Sequence, residues 1–280
     1  MIICNKRNLL IVLPKTSVMQ TIYTAFLLLL IGVPMQIIGQ EEESKSTYTL
    51  HYDPVDAKQS AQIVRWLEEG KELVNSFFGR DYKSQFGVYL FSERDSLGKQ
   101  WQKDWNMPKF KSRCWMVASG IAHRLDVLSP RVWKEQACGH DVRDTLATKR
   151  IIIHEMVHVF HGQYNPSPTF EDVDNIDWFA EGLAVYASGQ LDQERYSDAR
   201  RLIISKGGPK KLSKVWKGSN KYGIAGSLVK FIDEKYGREV LIELIGFTTA
   251  DQMLGYLKTT EKKLITTWKE DIRQHKSVNR

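Results

Sequence analysis

Two histidines four residues apart flank a glutamate in the stretch His154-Glu155-Met156-Val157-His158. Four residues advance an α-helix by about 400°, so the two imidazoles stand nearly one above the other on one face. Imidazoles so placed can grip a single Zn²⁺ between them. Glu155 follows the first histidine and can lean over the metal toward a bound water. Zinc lowers the pKa of such a water to about 7, and a neighbouring carboxylate can take its proton as it attacks a carbonyl. Ile151, Ile152, Ile153, Met156, Val157 and Phe160 are apolar and predict that the rest of this helix is buried. The two histidines and the glutamate are groups that a purely structural core helix would exclude.

A catalytic zinc takes three protein ligands and keeps one position open. Glu181 lies 23 residues beyond His158, which leaves room for a loop and the start of a second helix. It sits in Trp178-Phe179-Ala180-Glu181-Gly182-Leu183-Ala184-Val185-Tyr186. His-Glu-x-x-His followed by W-F-x-E-G-x-A-x-Y resembles the gluzincin metallopeptidases. Within them it is most similar to the peptidase-MA-like domains related to the thermolysin and aminopeptidase-N groups. The resemblance runs in element order from Tyr48 to the C-terminus, with its specific motifs between His154 and Tyr186.

That resemblance implies Glu181 as third zinc ligand and Glu155 as general base. It implies an α+β fold: a thermolysin-like zincin domain with a small N-terminal mixed sheet and a helical C-terminal lobe. Gluzincins also use a Tyr or His from a later helix to donate to the oxyanion; Tyr222, at the start of a predicted helix, is the residue expected here. In these enzymes a strand lining the cleft pairs with the substrate backbone. Val117, Ala118, Ser119 and Gly120 are the expected strand, the alternative being an ordinary sheet edge. One position departs from the pattern. Thermolysin and aminopeptidase-N relatives carry an Asp four residues after the ligand Glu, and this chain has Val185. The carboxylate that usually orients a ligand histidine must then come from elsewhere; Asp172, Asp174 and Asp177 are candidates that spacing does not separate.

The metzincin pattern H-E-x-x-H-x-x-G-x-x-H does not fit. His161 occupies its glycine position and Tyr164 its last histidine position. His161 is two turns from His154, about 10.5 Å along the axis, too far to close the same tetrahedron. It is expected as a helix-end histidine favoured by the C-terminal dipole, with Gly162 as a left-handed cap. A place at the cleft edge is the alternative.

The elements that must position these residues follow from periodicity. Tyr48–Tyr52 alternates like a strand. Ile63, Val64, Trp66, Leu67, Leu73, Val74 and Phe77 recur at helical spacing within residues 56–78, and Gly79 stops that helix. Phe86–Phe91 reads as a second strand. Cys114–Gly120 and Ile121–Leu128 look like a hairpin after Trp101 and Trp105. Asp141 or Asp144 caps the metal helix, and the acidic, proline-containing segment Asn165–Ile176 is a loop crossing back to Glu181. Lys206–Lys217 is broken by Gly and Pro and is basic; it reads as a solvated loop or as a cleft rim that attracts acidic substrates. Residues 221–237 form a helix that Tyr236 packs at its end. Val240–Phe247 and Leu254–Gln274 read as two final helices.

Composition bounds the class. At 280 residues, with 42% hydrophobic and 26% charged, the chain is ordinarily globular and large enough for a real core. Its formal charge is +7, and three of the excess cations, Lys6, Arg7 and Lys15, lie in the first 40 residues without any acid. The remaining excess is mild, and no basic-aromatic motif argues for nucleic acid. No internal repeat is evident. Residues 1–40 read as a targeting segment, with Ala25–Val33 as the apolar core, Pro34 after it, and cleavage expected near Gly39 or Gln40. Initiation at Met19 is an alternative start. An uncleaved anchor is the alternative, since the apolar run of about 20 residues is long enough to span a bilayer. Cys4 precedes the apolar run and cannot serve as a lipoprotein cysteine. Residues 41–47 read as a polar linker and 48–280 as the catalytic domain. Cys114 and Cys138 are the only cysteines beyond the targeting segment. In an exported chain a pair suggests a disulfide, the alternative being two free buried thiols.

These readings converge on an exported, periplasmic or extracellular, zinc-dependent peptidase acting on peptides or proteins. No G-x-M-E-N strand for binding a substrate amine is present, which favours an endopeptidase. The competing class is a zincin-fold binding or scaffold protein of the cell envelope that holds the metal without turnover.

Overall fold

A computed structural model describes residues 40–274. The expected targeting segment, apart from Gln40, lies outside the described residues. The fold is mixed α+β. Its strands are β1 (Glu41–Ser44), β2 (Tyr48–Tyr52), β3 (Phe86–Phe91), β4 (Ala118–Ile121) and β5 (Arg124–Leu128). Its helices begin with α1 (Ala57–Phe78), α2 (Arg94–Asp104), α3 (Trp133–Gln136), α4 (Thr145–Tyr164) and α5 (Asp177–Ala187). They continue with α6 (Gln193–Lys206), α7 (Lys221–Tyr236), α8 (Arg238–Glu243), α9 (Ala250–Tyr256) and α10 (Glu261–Gln274). Among the described residues no helix is long and apolar enough to cross a membrane.

The sheet has the order β1-β2-β3-β5-β4. β2, β3 and β5 run parallel, while β1 and β4 pair antiparallel at the two edges. Alternation explains the central strands: Phe86, Val88 and Leu90 of β3 are buried on one face, as Tyr48 and Leu50 are on β2. α1 covers that face with Ile63, Trp66, Leu67, Val74 and Phe78, and packs in turn on α4. Gly79, at φ 64°, ends α1 as expected.

Residues 41–47, expected as a linker, instead contain an edge strand. Glu41 through Ser44 pair with Tyr52 through Thr49. Three glutamates do not prevent pairing, because an edge strand keeps its side chains in water and charge there blocks further association. The hairpin is also shorter than its sequence suggested: Cys114–Val117 is not strand, and pairing begins at Ala118. α2 and α6 were not anticipated; both are strongly polar, with only two buried side chains each, so their apolar stripe is too thin to read. The final helices are split. Residues 244–246 form a tight 3-10 turn after α8, and α9 and α10 are separate, with a capping box at Thr249 and Gln252 starting α9.

Candidate metal centre

α4 carries the two histidines. Asp144 caps it by accepting from the backbone N–H of Ala147 at 2.9 Å, while Asp141 pairs with Arg143. The helix is buried nearly all round, between α1, β4 and α5. It does not end at Gly162 but runs to Tyr164. Gly162 has helical backbone, and a Cβ there would lie 2.8 Å from the Ala122 nitrogen and the Pro168 carbonyl oxygen. Its role is close approach rather than capping. His161 is likewise not a charged helix-end residue. It is fully buried edge-on against Phe170 and Phe179, and burial, helped by His158, pushes its pKa down to about 3. A neutral ring gains nothing from a helix dipole.

The structure brings His154, His158 and Glu181 together at the contact of α4 with α5. His154 Nε2 and His158 Nε2 are 3.1 Å apart, and Glu181 Oε2 lies 3.4 Å from the first and 3.6 Å from the second. Ligand bonds of about 2.0–2.2 Å in a tetrahedron require donor–donor edges of about 3.3–3.6 Å. The three edges scatter about that range, and two imidazoles with one carboxylate are the donor set of a zinc site with an open fourth position. All three are almost completely buried. Burial also holds the His158 pKa below its ordinary value, keeping a ring lone pair available for a metal.

The partner that orients His154 is not an aspartate. His154 Nδ1 donates to Gln190 Oε1 at 3.0 Å, and Gln190 Nε2 donates to the Arg150 carbonyl at 3.2 Å. The second bond fixes which way the amide points. The first puts the ring proton on Nδ1 and leaves the Nε2 lone pair facing the cluster. Asp172 and Asp174 are engaged elsewhere through their backbones, Asp172 with Ser167 and Asp174 with Thr248 and Ala250. Asp177 lies close enough to Glu181 for that charge, after burial, to raise its pKa. Gln190 follows α5 in a short loop, and no spacing rule points to it. Val185, the position at which the gluzincin pattern has Asp, is fully buried.

A cavity of about 70 Å³ opens beside the cluster, with His154 and Glu155 in its wall. Trp115, His140, Ile151, Gln190, Lys221 and Tyr222 are shared with a broader groove of about 750 Å³. Glu155 Oε2 is buried and has no hydrogen-bond partner among the described residues. Tyr222, the second residue of α7, is in the same wall, its ring centroid 6.5 Å from that of His154. Burial, then the charges of Glu181 and Glu155, raise its pKa, so its hydroxyl stays a donor. Val117, Ala118 and Ser119 line the cavity opposite α4. Gly120 does not; it turns onto α4, where a Cβ would approach the Glu155 carbonyl oxygen to 2.3 Å.

The rim before β4 is held from behind. Cys114 and Cys138 are joined by a disulfide, with Cα atoms 5.2 Å apart. Arg94, from the unanticipated α2, donates to the carbonyls of Arg113, Cys114 and Met116 at 2.8–3.1 Å. Trp115 is thereby set against the cavity mouth.

No protein-family model matches the sequence, and no curated protein matches it. Among solved structures the chain is similar to the M1 zinc metallopeptidase of Deinococcus radiodurans, with a TM-score of 0.43 at 14% identity over 86% of this chain and 52% of that one. An alanine mutant of that enzyme aligns at TM-score 0.45 and 12% identity over 86% and 53%. The mutant bound to a Tyr-Ser-Ala substrate aligns at 0.44 and 12% over 86% and 54%. The chain thus spans about half the length of these neighbours.

Proposed function

We propose that the protein is a zinc-dependent peptidase. The observation that carries the reading is the buried cluster of His154, His158 and Glu181 with an unpartnered Glu155 carboxylate and the Tyr222 phenol in the wall of the adjoining cavity. His154, His158 and Glu181 would hold the metal, and bound zinc supplies a Lewis acid that makes water nucleophilic at neutral pH. Glu155 accepts the proton of the attacking water and returns it to the leaving amine. Tyr222 donates to the carbonyl oxygen as negative charge develops there. Val117–Ser119, on the sheet edge, orient an extended backbone. The 750 Å³ groove beside the cavity and the absence of a G-x-M-E-N motif favour cleavage within a chain over removal of its first residue. We further propose that the protein is exported, with residues 1–40 as its signal; N-terminal sequencing of secreted material beginning near Gln40 would support this, and an intact Met1 or Met19 terminus in membranes would replace it with an anchor.

Glu155→Gln keeps shape and hydrogen bonding but removes the base. Zinc content by mass spectrometry is expected to stay unchanged while peptide turnover falls by at least about 10². Tyr222→Phe is expected to cost less and to lower kcat rather than raise KM. Loss of zinc in Glu155→Gln, or undiminished turnover, would remove Glu155 from this role. A fully zinc-loaded wild type that cleaves nothing in a broad peptide library would make the non-catalytic binding protein the better account.

A further inference from the structure

The cavity wall contains a cation that neither the metal cluster nor the proposed chemistry uses. Lys221 is half-buried beside Tyr222, its Nζ 4.2 Å from the centroid of Trp216, 5.0 Å from that of Trp115 and 5.1 Å from that of Tyr222. Among the described residues it forms an ion pair with no carboxylate. Its surroundings do not favour a positive charge there. It is the first residue of α7, at the positive end of the helix dipole, and no acid stands in that first turn. Lys217 and Arg113 add like charge, which the charge of Glu181 opposes. Glu181 would in turn be committed to a metal. The three aromatic faces offset part of the burial of an ammonium, but they supply no acceptor for its N–H groups.

We propose that Lys221 is the specificity-determining residue of the cleft and that it selects peptides bearing a carboxylate beside the scissile bond. This deepens the peptidase reading and rests on it for the word substrate; the carboxylate recognition stands on binding alone. An ammonium already held in place by aromatic faces loses little side-chain freedom when an anion arrives. Trp115 and Trp216 lie against the ammonium and leave it half-buried, which strengthens a pair made there relative to a fully exposed ion pair. Because Lys221 adjoins Tyr222 in the chain and lines the same cavity as His154 and Glu155, the recognised carboxylate must lie close to the reacting carbonyl. An acidic side chain and a chain-terminal carboxylate would satisfy it equally.

The test uses four peptides of one sequence, with Glu or Gln next to the cleaved bond, each with a free or an amidated C-terminus. Turnover is measured on the wild type. Affinity is measured by calorimetry on Glu155→Gln protein, which is expected to bind while cleaving at least about 10²-fold more slowly. A carboxylate-bearing peptide is expected to exceed its amide twin by at least about tenfold in affinity and in kcat/KM. The pair that shows this ratio identifies a side-chain or a terminal carboxylate as the source. Lys221→Met, and Lys221→Gln should the first fold poorly, are expected to bring the ratio below about threefold. Lys221→Arg should preserve it. Lys214→Met, which removes an equal charge from the exposed surface, should also preserve it. A ratio near one for both pairs in the wild type, or an unchanged ratio in Lys221→Met, overturns the inference. Binding with the expected ratio but no turnover of any peptide by the wild type would overturn the peptidase reading and leave the carboxylate site standing.

Discussion

Gln190 shows how a single neutral side chain can do what an acid usually does. It accepts from His154 and is itself anchored on the Arg150 carbonyl, so the imidazole has one tautomer and one orientation. Gln190→Leu keeps the volume and removes the acceptor. Zinc affinity, measured by competition with a chromogenic chelator, is expected to fall by about 10–100-fold, while Gln190→Glu should retain it. Equal affinity in Gln190→Leu would mean that packing alone positions His154. His161 illustrates the opposite case, a histidine near the centre that takes no part in it. Its place was misjudged from sequence because spacing along a helix does not say which neighbours will cover a given face.

At the scale of elements, the centre depends on how closely β4 lies on α4. Gly120 permits that approach, since any Cβ there meets the backbone of Glu155 itself. Gly120→Val should push the strand away, lower stability by about 1–3 kcal/mol in urea unfolding, and reduce turnover by displacing Glu155. Gly255→Ala is the control: nothing lies within 4 Å of its Cβ and its backbone is helical. It should be neutral or stabilise by up to about 1 kcal/mol. Wild-type stability and turnover in Gly120→Val would show that the strand carries no positional constraint. The sequence placed the strand only approximately, in a hairpin of Cys114–Gly120 and Ile121–Leu128 lining the cleft; that it starts at Ala118 and that Gly120 meets the backbone of Glu155 were not legible.

For the whole molecule, the three proposed ligands, His154, His158 and Glu181, join α4 to α5, so a metal bound there would tie the two helices together and favour the folded chain. A ligand present at about 1,000 times its Kd adds about 4 kcal/mol of stability. For a domain of this size that corresponds to a shift in Tm on the order of 10 °C. Chelation of zinc-loaded protein is therefore expected to lower Tm by about that much, and re-addition of zinc to restore it. The double variant His154→Ala, His158→Ala should show no chelator-dependent shift. An unshifted wild type, or full zinc occupancy in the double variant, would place the metal elsewhere.

The sequence by itself determined what depends on local geometry. The spacing of His154 and His158 puts them on one helix face whatever surrounds them, because a helix has one pitch. The alternation of Phe86–Phe91, the length of α1 and its stop at Gly79 are equally local. Only the tertiary structure decided which surfaces meet: Gln190 under His154, Arg94 behind Trp115, Glu41–Ser44 as an edge strand, and Lys221 among three aromatic rings. Gln190 lies 36 residues from His154 and Cys114 lies 20 from Arg94, distances that no repeat period encodes. The edge pairing and the contacts of Lys221 with Trp216 and Tyr222 are nearer in sequence but depend on how side chains pack. Their chemistry comes from burial and from the absence of competing partners, which exist only once the elements have packed.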